Sequence, residues 1–292
     1  MANKEPFLKW AGGKRWLVQQ HAHMFPSFTG RYIEPFLGSG AVFFNLGPSS
    51  AILSDRNGEL IETYEVVRST PHALDRQLSE LHLLHSPEFF YEMRAEVPST
   101  KIGRAARFIY LNRTCWNGLY RVNQKGEFNV PIGTKTLVEF PPDTLAQLSE
   151  SLKNIELVQT DFEMTIDRAG RGDFLYVDPP YTVSHNNNGF VKYNDVLFSW
   201  EDQIRLAKAV RRASERGAFV FVSNANHDEL IKLYLGFSTH HTLSRSSILS
   251  GKPEGRRNTE EAAFLNYTLS PKTEAAGSER ESRSPSIYGS KN

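Results

Sequence analysis

Three short, largely apolar segments each lead into an aspartate, and this arrangement limits the possible folds of the chain more than any other feature. The segments and their aspartates are 51–53 with Asp55, Ile155–Gln159 with Asp161, and Phe174–Val177 with Asp178. Short apolar runs bounded by polar residues are typical of buried strands. Helical patterns alternate with these strands before residue 57 and after about residue 145, which predicts an α/β sheet. Because open α/β sheets bind ligands beyond the carboxyl ends of their strands, the aspartates predict a site at that edge.

Further segments complete the predicted sheet. Residues 31–36 read as its first strand, before a glycine turn at 38–40 and a helix over Ala41–Leu46 that Gly47 ends. The later elements are a helix from Ser199 to Gly217, a strand over 218–222, a helix over 227–235, and an antiparallel pair at the sheet edge over 237–243 and 262–269. Asp202 stands three residues after Ser199, which predicts a capping box at the start of that helix.

A long insertion separates the second and third strands. Residues 58–115 show apolar positions at helical spacing, with breaks at Pro71, Pro87 and Pro98. The segments 119–122 and 127–130 flank a turn at 123–126 and predict a hairpin. We therefore divide the chain into a sheet domain of 1–57 and 145–269, an insertion of 58–144, and a polar tail of 270–292 that we expect to be disordered.

The composition excludes several classes of protein. With 292 residues, 39% hydrophobic and 12% aromatic, the chain has the content of a globular core. Cys115 is the single cysteine, which excludes a disulfide framework and a cysteine-rich zinc site and suits a reducing cytoplasm. The histidines lack the spacing of metal ligands, so we expect no metal site. No apolar run has the length of a membrane span, and we expect neither a signal peptide nor membrane association.

The net charge of +1 conceals an uneven distribution of bases. Between residues 101 and 126 there is no acid, and the bases are Lys101, Arg104, Arg107, Arg113, Arg121 and Lys125. Two smaller clusters are Lys4, Lys9, Lys14 and Arg15, and Arg245, Lys252, Arg256 and Arg257. Basic patches on a nearly neutral protein indicate a bound polyanion, although a single cluster is more often solvated surface.

The segment 178–181, Asp-Pro-Pro-Tyr, carries groups suited to an exocyclic amine. Such an amine is a poor nucleophile, because its lone pair is delocalised into the ring of the base. The Asp178 carboxylate can accept one N–H and a backbone carbonyl the other, which frees the lone pair. Pro179 and Pro180 fix φ and remove two donors, so the loop presents carbonyl acceptors. Tyr181 offers a flat face for an extruded base, although a plain turn that ends the strand is the alternative interpretation of the segment.

A second motif is the glycine turn Glu-Pro-Phe-Leu-Gly-Ser-Gly over 34–40, which lets a ligand approach the backbone closely. Phe43 stands where a dinucleotide site would have its third glycine, so the Gly-x-Gly-x-x-Gly pattern fails. The run Gly-Gly-Lys-Arg over 12–15 lacks the other residues of a phosphate-binding loop. Together with Asp55, which is placed to bond ribose hydroxyls, the turn indicates a cofactor that contains a nucleoside.

Three motifs resemble, in this order along the chain, those of the Dam family of DNA adenine-N6 methyltransferases. They are Phe-Leu-Lys-Trp-Ala-Gly-Gly-Lys over 7–14, Glu-Pro-Phe-x-Gly-x-Gly over 34–40 and Asp-Pro-Pro-Tyr over 178–181. Residues 112–113, 117–121 and 126–131 are similar to the target-recognition hairpin of that family. The resemblance extends from about residue 7 to about residue 269. It implies a Rossmann-like α/β S-adenosylmethionine-dependent methyltransferase fold, in which 58–144 is a DNA-binding target-recognition insertion.

The resemblance assigns the residues at the predicted edge to S-adenosylmethionine. The implied cofactor-binding residues are Trp10, Lys14, Glu34, Phe36, Gly38, Gly40, Asp55, Asp161, Phe162 and Asp178. Trp10 and Lys14 would close over the cofactor, and residues 34–40 would hold its methionine part. Asp55 would bind the ribose, and Asp161 with Phe162 the adenine. Core packing of Phe36 and helix capping by Asp161 remain alternatives. The implied catalytic residues are Asp178, Pro179, Pro180 and Tyr181.

The resemblance also implies a surface that reads double-stranded DNA at GATC. The implied DNA-binding residues are Lys9, Arg113, Trp116, Asn117, Leu119, Arg121, Pro131 and Ser246. Leu119, Arg121 and Pro131 would read base edges, and Arg to guanine is the commonest specific contact in the major groove. Lys9 would contact the first guanine, Trp116 would wedge beside the flipped base, and Ser246 belongs to a predicted phosphate-gripping loop at 244–247.

Some DNA-binding assignments keep alternatives. Arg113 has a second interpretation, as a structural residue that ties the insertion together. Trp116, Tyr120 and the loop 133–143 depart from the pattern of the family, so adenine-N6 chemistry is indicated more strongly than the GATC sequence.

We therefore expect a site-specific enzyme that methylates N6 of a flipped adenine in DNA. Its partners would be double-stranded DNA and, in some hosts, a cognate restriction endonuclease, and we expect a monomer in the cytoplasm of a bacterial, archaeal or phage-infected cell. One alternative keeps the fold and changes the acceptor to RNA adenine, cytosine N4 or a protein amide. The other is a DNA-binding relative without catalytic activity, which the intact segment 178–181 argues against.

Overall fold

The computed structural model, which describes residues 5–123, 125–182, 198–246 and 258–269, contains one seven-stranded sheet. Its strands are β1 (Tyr32–Glu34), β2 (Ala51–Asp55), β3 (Ile155–Gln159), β4 (Phe174–Val177), β5 (Phe219–Ala225), β6 (Thr239–Ser246) and β7 (Asn258–Leu265). They lie in the order β3-β2-β1-β4-β5-β7-β6. Strands β1 to β5 are parallel, and β7 is antiparallel to both β5 and β6. This doubly wound, Rossmann-like order with an antiparallel edge confirms the predicted fold class.

The strand predictions are confirmed, with different bounds for five strands, of which β2 extends to Asp55 and β5 covers Phe219–Ala225 rather than 218–222. β1 covers 32–34 rather than 31–36, because Pro35 has no N–H to donate to a neighbouring strand. The edge pair lies at 239–246 and 258–265 rather than at 237–243 and 262–269. β7 ends at Leu265 because the side chain of Asn266 takes over the pairing, its Oδ1 accepting a hydrogen bond from the N–H of Val220 at 2.8 Å.

Ten helices are described around this sheet in the residues listed above. They are α1 (Arg15–Gln20), α2 (Ala41–Leu46), α3 (Gly58–Ser69), α4 (Pro71–Leu83), α5 (Pro87–Ala95), α6 (Lys101–Thr114), α7 (Thr144–Leu152), α8 (Phe162–Ile166), α9 (Trp200–Glu215) and α10 (Asp228–Tyr234). Pro71 and Pro87 are the first residues of their helices, where a missing N–H leaves no bond unmade. The capping box at Ser199 and Asp202 is present with both of its hydrogen bonds.

Apolar side chains cover both faces of the sheet, as a parallel sheet requires. Ile33 of β1 and Leu175 of β4 belong to the core on one face, together with residues of α8 and α9. Tyr32 and Phe174, their chain neighbours, belong to the core on the other face with residues of α3, α4, α6 and α7. Successive residues of a strand point to opposite faces, so each short strand contributes to both cores.

The predicted helical insertion and its hairpin are present. Helix α3 packs against β2, β3 and α7, so the insertion shares the core of the sheet. After α6 the chain makes a short 3₁₀ turn at Trp116–Gly118. The hairpin is shorter than predicted: Val122 and Phe128 form one antiparallel bridge, and the N–H of Asn129 donates to the carbonyl of Arg121 at 3.0 Å.

Some predicted features lie outside the described residues. The polar tail 270–292 is one, and the basic residues Lys4, Lys252, Arg256 and Arg257 are others. Among the helices described above, none combines the length and the apolar character needed to cross a membrane.

Candidate active site

The predicted edge exists, and the strand order gives it a crevice. Asp55, Asp161 and Asp178 lie at or directly beyond the carboxyl ends of the parallel strands β2, β3 and β4. β1 has β2 on one side and β4 on the other, so the order of strands reverses between β1 and β4. Ligands of doubly wound sheets bind at such a reversal. The glycine turn 38–40 and Asp178 are the features that follow these two strands.

The glycine turn is closely packed against a tryptophan and an aspartate. Gly38 and Gly40 have φ of +47° and +63°, and a Cβ on Gly38 would lie 2.7 Å from Cδ1 of Trp10. The Gly38 N–H donates to Asp55 Oδ2 at 3.2 Å, and the Asn57 N–H donates to Asp55 Oδ1 at 3.0 Å. Burial raises the pKa of Asp55, although these backbone donors oppose the shift. The turn and the acidic end of β2 are therefore one rigid unit.

Lys14 and Asp178 form an ion pair at the end of β4. Lys14 Nζ lies 2.9 Å from Asp178 Oδ1, donates to the carbonyl of Gly12 at 2.8 Å, and is only 3% exposed. It also lies 3.5 Å from Oε2 of Glu261 and 4.9 Å from the centre of the Tyr181 ring. Burial raises the pKa of Asp178 to about 6, even though Lys14 acts in the opposite direction.

The hydroxyl of Tyr181 contacts side chains of β5 and β7. It donates to Glu261 Oε2 at 2.6 Å and lies 3.1 Å from Oγ of Ser223 on β5. Glu261 is a buried residue of β7, and the sequence patterns single out neither it nor Ser223. Glu261 lies in a strand that is paired on both sides, no motif surrounds it in the sequence, and its partners come from distant parts of the chain.

A buried amide holds the backbone of the Asp-Pro-Pro-Tyr loop, residues 178–181. Nε2 of Gln203 in α9 donates to the carbonyl of Pro180 at 3.3 Å, and Oε1 of Gln203 accepts from Asn224 at 3.1 Å. The hydroxyl of Thr182 donates to the carbonyl of Phe198 at 2.7 Å. The carbonyl of Pro180 therefore has a donor within the protein.

Asp161 caps helix α8 and is held by an arginine. Its Oδ1 accepts the N–H of Glu163 at 3.0 Å, which confirms the capping alternative. Arg205 of α9 donates to both carboxylate oxygens, at 2.6 and 2.9 Å, and keeps the pKa of Asp161 below its usual value. The guanidinium also lies 4.1 Å from the centre of the Phe162 ring. Arg205 is a further site residue that the motifs do not reveal.

Glu34 and Phe36 both contact other residues of the protein. Glu34 is buried and accepts a hydrogen bond from the hydroxyl of Tyr32 at 2.9 Å, and burial raises the pKa of Glu34. Phe36 stacks on Phe162 with the ring centres 5.4 Å apart and also contacts Phe198. The core-packing alternative for Phe36 is therefore present in the structure, and its contact with Phe162 joins the ends of β1 and β3.

Trp10 connects the glycine turn to the predicted DNA hairpin. Its indole lies against Gly38 and stacks on Tyr120, with ring centres 5.6 Å apart and planes inclined by 18°. The Tyr120 hydroxyl donates to Glu59 Oε2 at 2.9 Å. Tyr120 departs from the family pattern, yet its ring packs against one face of Trp10.

Asn112 brings the N-terminal segment to the predicted DNA-reading residues. Its Oδ1 accepts the Lys9 N–H at 2.9 Å, and its Nδ2 donates to the carbonyls of Lys9 and Gly118 at 2.8 and 3.2 Å. The Trp116 N–H donates to the carbonyl of Pro131 at 2.9 Å. Lys9, Trp116, Asn117, Arg121 and Pro131 are exposed, and Leu119 is half-buried. These residues thus share one surface region, and Asn112, which belongs to the segments that resemble the target-recognition hairpin, links Lys9 to Gly118.

Three of the clustered bases have internal partners. Arg104 donates to both oxygens of Glu62 at 2.7 Å. Arg107 is buried and donates to the carbonyls of residues 93 and 94. Arg113 donates to the carbonyls of residues 137 and 139 and lies 4.2 Å from the Phe140 ring centre, in agreement with its structural alternative. The acid-free run is therefore no single basic patch, and Arg121 and Lys125 are its exposed bases at the hairpin.

The remaining predicted sites have the following places. Ser246 is the last residue of β6, with its backbone opposite Asn258. Ser247, the end of the predicted phosphate-gripping loop, lies outside the described residues. Cys115 is buried. Within the described ranges, no three His, Cys, Asp or Glu side chains converge as ligands of a metal ion would.

Comparison with known proteins identifies the family. The sequence model of the D12 class of N6 adenine-specific DNA methyltransferases matches residues 10–248. The chain is 35% identical to Type II methyltransferase M1.LlaDCHI of Lactococcus lactis subsp. cremoris, over 91% of this chain and 96% of that protein. It is 37% identical to Type II methyltransferase M.MjaIII of Methanocaldococcus jannaschii, over 90% and 99% respectively. It is 33% identical to the DNA adenine methylase of Escherichia coli K12, over 86% and 91%. The chain, with its Rossmann-like methyltransferase sheet, belongs to the D12 class of N6 adenine-specific DNA methyltransferases.

Proposed function

We propose that this enzyme transfers a methyl group from S-adenosylmethionine to N6 of an adenine that it rotates out of double-stranded DNA. The observation that carries the proposal is the position of Asp178. Its carboxylate stands at the reversal of strand order, is paired with buried Lys14, and begins a loop whose Tyr181 ring is anchored by its hydroxyl. The family membership supports adenine N6 as the acceptor.

The residues at the edge fit a nucleoside cofactor with an amino-acid part. The glycine turn has no room for a Cβ at Gly38, and Asp55 at the end of β2 offers acceptor oxygens for ribose hydroxyls. The residues that would hold the cofactor are Trp10, Lys14, Glu34, Phe36, Gly38, Gly40, Asp55, Asp161, Phe162 and Asp178. When bound, S-adenosylmethionine supplies an electrophilic methyl group on a positively charged sulfur. Residues of the protein would bind and activate the amine that receives it.

Two acceptors activate the amine of the substrate. Asp178 accepts one N–H, and we assign the other to the carbonyl of Pro179, since the Gln203 amide already occupies one of the two acceptor positions of the Pro180 carbonyl. The nitrogen lone pair is then directed away from the ring of the base. As the nitrogen gains the methyl group it becomes positively charged, and the adjacent carboxylate stabilises that charge. The nitrogen returns to neutrality by losing one proton, for which the Asp178 carboxylate is the nearest base in this arrangement.

The Tyr181 ring gives the extruded base a surface. Stacking of a flipped base on an aromatic ring offsets part of the unstacking energy of the duplex. The ring of Tyr181 is held by its hydroxyl contacts to Glu261 and Ser223, so its plane is set before the base arrives. Trp116 is 51% exposed beside the hairpin, and we propose that its side chain occupies the space that the base leaves.

We propose GATC as the recognition sequence, read by the insertion 58–144. Arg121 is exposed, and its Nε donates to Oδ1 of Asn129 at 2.8 Å, which fixes the direction of the guanidinium. A guanidinium so held can bond guanine O6 and N7. Leu119 and Pro131 supply apolar contacts, and Lys9 supplies a base contact from the N-terminal segment. Asn117 and Ser246 would contact the backbone of the DNA, whereas Arg113, predicted as a DNA-binding residue, would act indirectly by tying the insertion together.

The test is methyl transfer in vitro, followed by identification of the base. Purified protein and labelled S-adenosylmethionine are incubated with duplexes that contain GATC, with duplexes in which GATC is scrambled, and with single-stranded RNA. Digestion to nucleosides separates N6-methyladenine from N4-methylcytosine. We expect N6-methyladenine in the GATC duplex, and fluorescence of 2-aminopurine at the adenine position reports its extrusion. Absence of modified adenine from every duplex contradicts the proposal.

A restriction endonuclease is the partner that we propose to test in cells. Two of the relatives are named Type II methyltransferases, a name that refers to restriction and modification. Sequencing of methylated positions in DNA from expressing cells gives the modified sequence. If that DNA resists an endonuclease of the same specificity from the host, the pairing is supported, and if the DNA is cut, it is refuted. We propose a monomer, which sedimentation of the purified chain tests.

A further inference from the structure

We propose that Glu261 is a positioning residue for methyl transfer: it holds the Lys14 ammonium between two carboxylates and anchors the Tyr181 hydroxyl, so that Lys14 does not neutralise Asp178 alone. This inference rests on the function proposed above and adds a residue to it. Glu261 lies on β7, which belongs to none of the motifs that identify the family.

The geometry makes Glu261 the second carboxylate of one cluster. Its Oε2 lies 3.5 Å from Lys14 Nζ and accepts the Tyr181 hydroxyl at 2.6 Å. Lys14 is at the same time 2.9 Å from Asp178. Both Lys14 and Glu261 are less than a tenth exposed, so water screens these interactions weakly. Burial of a carboxylate is costly unless the group is paired. Both partners of Glu261, Lys14 and Tyr181, belong to the candidate site.

Glu261 acts on Asp178 through charge as well as through geometry. Burial raises the pKa of Asp178, Lys14 lowers it, and the charge of Glu261 raises it. The other ionisable groups whose charge couples to Asp178 from the neighbouring strands and the loop are Glu34, Tyr32, Tyr176 and Tyr181. Lys14 is the one cation that acts on Asp178 among the described residues with a resolved effect. Two carboxylates therefore compete for a single ammonium.

This competition has a direct consequence for the reaction. A carboxylate that is fully paired with an ammonium is a weaker acceptor for the neutral amine of adenine. Lys14 favours the ionised form of Asp178, and because Glu261 shares the Lys14 ammonium, the Asp178 carboxylate keeps its strength as an acceptor. The bond from Tyr181 to the same oxygen of Glu261 makes the ring orientation depend on this residue too.

The variant Glu261→Gln separates charge from anchoring. Gln has nearly the same size, and its Oε1 can still accept the Tyr181 hydroxyl, but the negative charge is gone. Glu260→Gln is the matched control, because Glu260 is the preceding residue of β7, is exposed, and bonds Asn226 at 3.1 Å. It removes the same charge from the same strand outside the cluster. Thermal unfolding of each variant checks that the fold is retained, and Glu261→Met, which is close in size and also lacks the negative charge, replaces Glu261→Gln if that variant does not fold.

The first measurement is made on the protein without DNA or cofactor. The ¹³C shift of the Asp178 carboxyl, assigned with Asp178→Asn, is followed against pH in wild type and in both variants. In Glu261→Gln we expect the Asp178 pKa to fall by roughly half a unit or more, and in Glu260→Gln we expect no change. An unchanged Asp178 titration in Glu261→Gln, or an equal fall in Glu260→Gln, overturns the proposal.

The second measurement is single-turnover methyl transfer to duplex DNA. We expect Glu261→Gln to lower the maximal rate on the order of tenfold and to move the acid limb of the pH profile downward with the Asp178 titration. If Glu261 only anchored Tyr181, Glu261→Gln would change neither the maximal rate nor the acid limb of the pH profile. The carboxyl titration needs no substrate, so it can support or refute the role of Glu261 even if adenine in DNA is not the acceptor.

Discussion

The side-chain amide of Gln203 donates a hydrogen bond to the carbonyl oxygen of Pro180 over 3.3 Å and so ties helix α9 to the Asp-Pro-Pro-Tyr loop. Gln203 is completely buried, and its own oxygen accepts from Asn224 of β5. A helix and a strand therefore fix one carbonyl of the loop before any substrate binds. In the proposed mechanism the neighbouring carbonyl of Pro179 accepts the amine, and we expect its direction to depend on Gln203.

The variant Gln203→Met keeps the length of the side chain and removes both hydrogen bonds. Because buried partners are left unpaired, we expect the free energy of unfolding to fall by about 1–3 kcal/mol. We also expect the single-turnover rate to fall roughly tenfold or more, since the loop loses its fixed geometry. Urea unfolding and rapid-quench methylation measure the two effects. Lys208→Met, on the exposed side of the same helix, is the control, and a rate unaffected by Gln203→Met would refute the link to Pro179.

Replacement of Asp178 by alanine should separate catalysis from binding. We expect methyl transfer to fall by roughly 10³-fold or more, because no other acceptor stabilises the charge on the nitrogen. DNA affinity should change little, since it depends on the hairpin and on phosphate contacts. Lys14 keeps Glu261 as a partner, so the variant is expected to fold. Labelled methyl transfer and fluorescence anisotropy test the two statements, and sustained turnover would remove Asp178 from the mechanism.

The pH dependence of kcat/KM should have an acid limb near pH 6. Burial raises the pKa of Asp178 to about 6. In the proposed mechanism, the ionised form of Asp178 accepts the amine N–H. The active form is therefore lost as the pH falls through about 6, with a decline of roughly tenfold per pH unit below it. Initial rates between pH 5 and pH 9 at low DNA concentration measure this profile. A limb near the ordinary pKa of a carboxyl would contradict the assignment.

The variant Arg121→Ala should relax the choice of one base. Arg121 is held by Asn129 at the exposed hairpin, and we expect its loss to reduce discrimination at one guanine by roughly 1–3 kcal/mol. Lys125→Ala, at the turn of the same hairpin, is expected to weaken binding on all sequences alike. Competition between GATC duplexes and single-base variants measures both. Equal weakening on every sequence by Arg121→Ala would make it a phosphate contact.

The variant Gly38→Ala should weaken cofactor binding. The new Cβ would lie 2.7 Å from Trp10, at a φ of +47° that favours glycine, so the indole or the turn must move. We expect the affinity for S-adenosylmethionine to fall roughly tenfold or more, measured by calorimetry. Gly170→Ala is the control, because a Cβ there meets nothing within 4 Å. Wild-type affinity in Gly38→Ala would show that the turn does not form the cofactor site.

Local sequence patterns correctly predicted the helices and strands that depend on interactions between residues close together in the chain. The helix Ala41–Leu46, the capping box of Ser199 and Asp202, and the strand Phe174–Val177 with Asp178 behind it all depend on residues a few positions apart. Apolar spacing, caps and proline act over one or two turns, so they can be read along the chain. Strands alternate with helices along the chain, which indicates parallel strands and therefore predicts that the aspartates at the strand ends share one edge of the sheet.

The partners of those aspartates were decided only by the tertiary structure. Tyr181 meets Glu261 from 80 positions away, and Lys9 meets Asn112 from 103 positions away, because strand order and helix packing bring them together. The same packing turns Arg107 inward, which no count of charges reveals. Sequence by itself determined the fold class and the family, since these follow from local patterns and motifs, and it predicted the Asp-Pro-Pro-Tyr loop as the reactive one. The ion pairs and buried amides that tune the loop follow from burial, which exists only when distant segments are packed.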